Sequence, residues 1–266
     1  MNLPHRNFGW KFDLCSPHET PDPQLISGFI DPPPNHIDEN HLELPTKLLK
    51  TRGVYVVGGS LILVANTLLM LNLIFFDLRG SWLSLDPAIV MFLVSLALFF
   101  WTPSYIRLDI GQPRDQPIRF NRHRRKAYFY RYKFDSTHPY GTKDWGVQPV
   151  AYNWDDLTAE VYRVYAPLGY GGIIEKVMIS VRRHGTDEVI DRLFLTDDIE
   201  RGKRYWALAR LFMQKGPEAL PNFVYAPVDW NSDDSTNPFD QLAPKVQCPP
   251  EMDLESRTPP GQGDQP

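Results

Sequence analysis

The alternation of apolar and polar positions divides the chain into segments of different character. From Gly53 to Phe76 it reads GVYVVGGSLILVANTLLMLNLIFF, 24 residues without a charge. At a rise of about 1.5 Å per residue, such a helix more than covers about 30 Å of hydrocarbon. A soluble helix of this length needs a polar face. Here only Ser60, Asn66, Thr67 and Asn72 break the run, and Asn66 and Asn72 fall on different sides of a helix. A second run, AIVMFLVSLALFFW from Ala88 to Trp101, is extended by Thr102 to Ile106, and Trp82, Trp101 and Tyr105 suit interfacial belts. The pattern predicts two transmembrane helices over about 53–76 and 87–106. Only DLRGSWLSLDP separates the runs, so they form a hairpin, with Pro87 in the first turn of the second helix. Gly59 with Asn66, and Ser60 with Thr67, are spaced to share a face, where small and polar residues let two helices approach.

After the second run the period changes to two. Ile118 and Phe120, then Tyr128, Tyr130 and Tyr132, alternate around a polar cluster from Asn121 to Lys126, which predicts a β-hairpin. Further strands are expected at Val147–Tyr152, Ala159–Tyr165, Ile173–Arg182 and Glu188–Leu195, with LGYGG and RHGTD as turns. The period then becomes helical over about 198–215. Asp197 with Glu200 resembles a capping box, Ile199, Tyr205, Trp206, Leu208, Ala209, Phe212 and Met213 form a broad apolar face, and Gly216-Pro217 ends the helix. Prolines interrupt residues 1–52 often enough to predict an irregular arm that packs along the β-rich part or receives a partner. Residues 229–266 carry too little apolar content to fold and are expected to be disordered. The fold class is therefore α+β: a transmembrane helical hairpin, then a β-rich domain over 107–228 closed by a C-terminal amphipathic helix. An antiparallel sheet followed by one helix is the element order of pleckstrin-homology-like barrels, though order alone does not establish that topology.

Charge then sets the orientation. Lys47, Lys50 and Arg52 precede the first run; Arg107, Arg114, Arg119, Arg122, Arg124, Arg125 and Lys126 follow the second; the loop between holds only Arg79. The positive-inside rule places both termini in the cytoplasm. With no ionisable residue inside either run, nothing in the spans suits ion transport or a proton relay, which disfavours a pore or transporter subunit. The net charge of -4 argues against a nucleic-acid binder.

Candidate chemistry is sparse. Cys15 and Cys248 show no zinc or redox spacing. His36, Asp38, Glu39 and His41 lie close together in a proline-bounded stretch but lack an established ligand spacing; they suit at most an adventitious ion, so neither metal nor cofactor is expected. Asp155-Asp156 and Asp197-Asp198 read more simply as a turn and a helix start than as catalytic pairs. GYGGIIEK lacks the lysine of a P-loop, and no nucleophile elbow is present, so no enzyme is indicated. The basic stretch IRFNRHRRKAYFYRYKF stands out. Arg119, Arg122, Arg124, Arg125 and Lys126 suit contact with anionic lipid or a partner, or serve only as the solvated turn of a hairpin beside the membrane.

The order of arm, two close spans, P-I-R-F-N-R, R-K-A-Y-F-Y-R and a β-rich domain with a Trp-containing helix resembles an uncharacterised proteobacterial family of two-pass inner-membrane proteins, often encoded near type VI secretion genes. The resemblance covers roughly residues 40–215, and its motif is Ile118–Asn121 with Arg125–Tyr130. It brings no catalytic residues. It implies a bacterial inner-membrane protein, an immunity or accessory protein, that binds an effector or a secretion component. A reporter fused after Pro266 is expected to report the cytoplasmic side; a periplasmic signal would reverse the orientation.

Overall fold

The computed structural model describes residues 6–26, 28–46, 52–77, 85–135, 137–138, 140–141, 145–165, 172–231 and 237–261. Lys47, Lys50, Arg79 and Trp82, most of the loop between the apolar runs, and most of the LGYGG turn lie outside them.

The first apolar run forms helix α1, Val54–Asn72, continued by a π-helical turn at Leu73–Asp77. The second forms α2, Leu85–Gly111, with Pro87 in its first turn. Both are long and apolar enough to cross a membrane, and within each apolar window only 11% of residues are buried, so nearly all of that surface lacks a protein cover. The two helices pack through one of the two predicted faces. Gly59 and Asn66 are buried, and the Asn66 amide donates to the Ser95 carbonyl at 3.2 Å. Ser60 and Thr67 are exposed instead, and the Thr67 hydroxyl bonds the Leu63 carbonyl of its own helix at 2.8 Å. One step along a helix turns a side chain by about 100°, which takes this second pair off the seam.

Helix α2 runs past the expected end at 106 and carries Arg107 and Asp109. Pro103 removes the donor that the Phe99 carbonyl would meet four residues on, and the Tyr140 hydroxyl donates to that carbonyl at 3.3 Å. Asp109 uses its carboxylate to cap the other helix. It accepts from the backbone N–H of Gly53 at 2.9 Å, Tyr55 at 3.0 Å and Val56 at 3.1 Å. These donors have no partner inside α1, and the positive end of the helix favours an anion there. Gly53 is left-handed at φ 94°, with the Phe239 ring where a Cβ would stand.

The β-rich part holds two antiparallel sheets. The strands are Trp10–Asp13 (β1), His36–Ile37 (β2), His41–Leu44 (β3), Ile118–Asn121 (β4), Lys126–Lys133 (β5), Gly146–Asn153 (β6), Leu157–Tyr165 (β7), Ile173–Arg182 (β8) and Val189–Thr196 (β9). They are ordered β1-β7-β8-β9 and β2-β3-β4-β5-β6. The predicted strands are all present. The sheets do not close into a barrel. The amino-terminal arm departs from the expected irregular segment, because it supplies β1 to one sheet and β2 and β3 to the other. Proline excludes a helix but permits short strands at a sheet edge, as β1 and β2 are, while β3, which holds no proline, lies between β2 and β4.

Helix α3, Ile199–Lys215, shares one core with both sheets: its predicted apolar face is buried against Phe120 and Phe129 of one and Val161, Val177 and Ile179 of the other. Trp154, in the turn between the sheets, packs on Trp206 at 5.0 Å and Phe120 at 5.7 Å. The N-cap is Asp198 rather than Asp197, accepting from Arg201 N–H at 2.7 Å, while Glu200 pairs with Lys203 at 2.6 Å instead of closing a capping box. The arm lies along α3: Tyr205 donates to the Pro32 carbonyl at 2.8 Å, Trp206 to Cys15 at 2.8 Å and Gln214 to Pro17 at 3.0 Å. Segments rich in proline have carbonyls in excess of N–H groups, and the helix supplies the donors.

The carboxy-terminal segment also differs from expectation. Pro238–Leu242 (α4) and Pro250–Arg257 (α5) are helical, and α5 packs on β4 and β5. Its contacts are mainly polar, so apolar content does not register them.

The seam at Gly59 is testable. A Cβ there would stand 2.8 Å from Ile106 Cγ1, whereas at Gly58 nothing lies within 4 Å. Gly59→Leu is expected to lower the unfolding midpoint in detergent by the equivalent of about 1–3 kcal/mol, and Gly58→Leu to leave it unchanged.

Candidate functional site

The β4–β5 hairpin is the centre of the candidate site. Both faces of β4 are buried: Ile118 and Phe120 enter the core, and Arg119 and Asn121 face α5. In β5 the alternation sends Ala127 and Phe129 inward and leaves Tyr128 and Tyr130 on the α5 side. Arg119 pairs with Glu43 of β3, donates to the Tyr130 hydroxyl at 3.2 Å and the Ser256 hydroxyl at 3.0 Å, and pairs with Asp253 at 2.5 Å. Asn121 donates to the carbonyls of Ser256 at 3.1 Å and Thr258 at 3.0 Å, and Arg124 donates to Thr258 at 3.0 Å. These are donors placed at the negative end of a helix. Glu255 accepts from Lys126 at 2.8 Å and Tyr128 at 3.0 Å.

These pairings fix the protonation states. For the Asp253 carboxyl, burial acts upward, but hydrogen bonding and charge from Arg119 outweigh it and hold the group below its ordinary range. The Lys126 hydrogen bond, against a smaller effect of burial, lowers that of Glu255. Burial, with Glu255 beside it, pushes the Tyr128 hydroxyl well above its usual range, so it stays a donor.

The predicted contact residues are thus placed within the chain. Arg119 is buried, and Arg124 and Lys126 are bonded to the carboxy-terminal segment. Arg125, left-handed at φ 49° in the hairpin turn, pairs with Asp155, and Arg122 lies against Gly216 at the end of α3. The solvated turn expected from the sequence is in large part a surface for the acidic helix.

Beside Arg119 opens a polar cavity of about 360 Å³, lined by His36, His41 and Glu43 from the arm and by Lys245, Cys248 and Asp253 from the carboxy-terminal segment. At its arm side, His36, Asp38 and His41 bring their donor atoms within 4.8 Å of one another. The imidazoles stack with centroids 4.7 Å apart. Burial lowers the pKa of His41, against the opposing charge of Asp38. For Asp38 burial acts upward, but the backbone donors of His41 and Asn40 and the His41 charge together hold it low. Proximity along the chain marks these residues, and Cys248 stands out only as a cysteine without ligand spacing; Glu43 and Asp253 carry no local signal that joins them to the others. Cys15 is exposed and far along the chain from Cys248, and both are free thiols.

A family model described as a family of unknown function (DUF6708) matches residues 94–260, from within α2 to just beyond α5. No curated protein and no solved structure matches the chain.

Arg119→Met leaves the buried Glu43 without its cation. It is expected to destabilise the protein by about 3–5 kcal/mol, read as a fall in the denaturant midpoint, and Arg119→Met with Glu43→Met should regain part of the loss.

Proposed function

This chain belongs to the DUF6708 family of unknown function, and we propose that it is a non-enzymatic membrane protein that binds a partner protein through the surface its own α5 helix covers. The observation that carries the reading is the character of that contact. Helix α5 meets β4 and β5 through Asp253, Glu255 and Ser256, while Leu254 remains 65% exposed. A short acidic helix held by polar bonds stands apart from the shared apolar core, so a partner that supplies the same acceptors to Arg119 and Asn121 can exchange with it. A partner that presents a comparable acidic segment with apolar contacts beside it has more to gain than α5 does, whose Leu254 finds no cover.

The membrane reading rests on the uncovered apolar surface of α1 and α2. An aromatic collar supports it: Tyr105 meets Phe134 at 5.6 Å, Phe134 meets Trp145 at 5.1 Å, and Arg107 stands over the Trp145 ring at 4.4 Å. Amphipathic rings beside a cation suit the headgroup level. The β-domain then lies against the cytoplasmic face of a bacterial inner membrane, with both termini on that side. The resemblance noted in the sequence favours an effector or secretion component as partner, and hence an immunity or accessory role.

Removal of residues 250–266 is expected to raise recovery of a partner when the protein is purified in detergent with the products of neighbouring genes, and Arg124→Glu with Lys126→Glu to abolish it. No recovery by either the full or the shortened chain would sink the proposal. Capture by anionic vesicles in place of protein would transfer the surface to lipid.

A further inference from the structure

The β2–β3 turn carries an arrangement that the α5 contact does not require. Asp38 divides its carboxylate between two tasks. One oxygen, Oδ1, accepts the backbone N–H groups of Asn40 and His41, each at 2.7 Å, which fixes the side chain against the turn. The other, Oδ2, stands 3.2 Å from His36 Nε2 and 3.1 Å from His41 Nδ1. The two imidazoles thus approach a single carboxylate oxygen, which His36 Nε2 meets in a hydrogen bond and His41 Nδ1 does not.

We propose that His36, Asp38 and His41 bind one divalent transition-metal ion of the zinc class, at the wall of the polar cavity beside Arg119. Spacing supports this first. A tetrahedral ion with nitrogen and oxygen ligands at about 2.0–2.2 Å sets neighbouring donor atoms roughly 3.3 Å apart, close to the two separations from Asp38; the two imidazole nitrogens lie within 4.8 Å of each other, so the stacked rings must tilt together to close on an ion. The second support is His41. Its side chain is 5% exposed, and its Nδ1 makes no hydrogen bond despite its nearness to Asp38. A buried polar nitrogen left so is costly, and a metal ion would satisfy it. Pre-orientation is the third: the backbone donors hold Asp38 as a partner beyond the ligands holds a metal-binding carboxylate.

The donor set selects the ion. Two imidazoles and one carboxylate suit zinc, cobalt or nickel, whereas calcium and magnesium favour all-oxygen shells. Nearby Glu43 is committed to Arg119 and stays out of the shell. Because His36 and His41 both line the cavity, a coordination position not filled by protein opens toward it. The ion would tie the arm hairpin to the cavity that the carboxy-terminal segment completes.

The test uses untagged full-length protein in detergent, titrated with cobalt(II). Saturable binding of one ion per chain is expected, with the visible absorption of a tetrahedral cobalt site. His36→Gln changes a half-exposed side chain, and it should weaken binding by at least about tenfold while the thermal midpoint without metal moves little. Asp38→Asn should weaken binding likewise. Absence of stoichiometric binding, or binding indifferent to His36→Gln, would overturn the site.

Discussion

A buried guanidinium organises the β-domain. Arg119 sits in a strand whose neighbours, Ile118 and Phe120, belong to the core, so alternation turns Arg119 to the opposite face, where α5 covers it and removes it from water. An unpaired charge in that position costs several kcal/mol. The chain meets the requirement with Glu43 from the arm, Tyr130 from the adjacent strand, and Asp253 and Ser256 from the carboxy-terminal helix. Arm and carboxy-terminal segment are thereby ordered around one side chain.

A second polar junction links this assembly to the apolar helices. Arg52 donates to the carbonyls of Asp109 at 2.7 Å and Pro113 at 2.8 Å and pairs with Asp240 of α4 at 2.9 Å. Asn237 donates to the Arg52 carbonyl at 3.2 Å, and Arg114 to that of Gln241 at 2.8 Å. The carboxy-terminal segment therefore touches the base of α1 through α4 and the basic strands through α5. Displacement of α5 acts on a chain segment whose other end holds the helix pair, which gives the proposed partner contact a physical route to the membrane.

The polar cavity follows from the same arrangement. Its walls come from the arm and from the carboxy-terminal segment, with Arg119 between them. The family match spans the strand and α5 but begins well after the arm, so the histidine pair lies outside the matched region.

The apolar runs, the strands and the face of α3 were legible in the sequence because each is a local periodic signal: hydrophobic transfer depends on which residues recur along one stretch. The same stretch showed the density of cations at 119–126 but not its use. Glu43 stands 76 residues from Arg119, and Asp253 stands 134 away. Only the tertiary structure brings such charges together, because an ion pair depends on approach in space and leaves no period along the chain. For the same reason it decided which seam joins the helices, turned a proline-rich arm into strands of both sheets, and gave helices to a carboxy-terminal segment whose composition spoke for disorder. The basic hairpin, legible as a grip for an anion, proved to hold an acidic helix of its own chain.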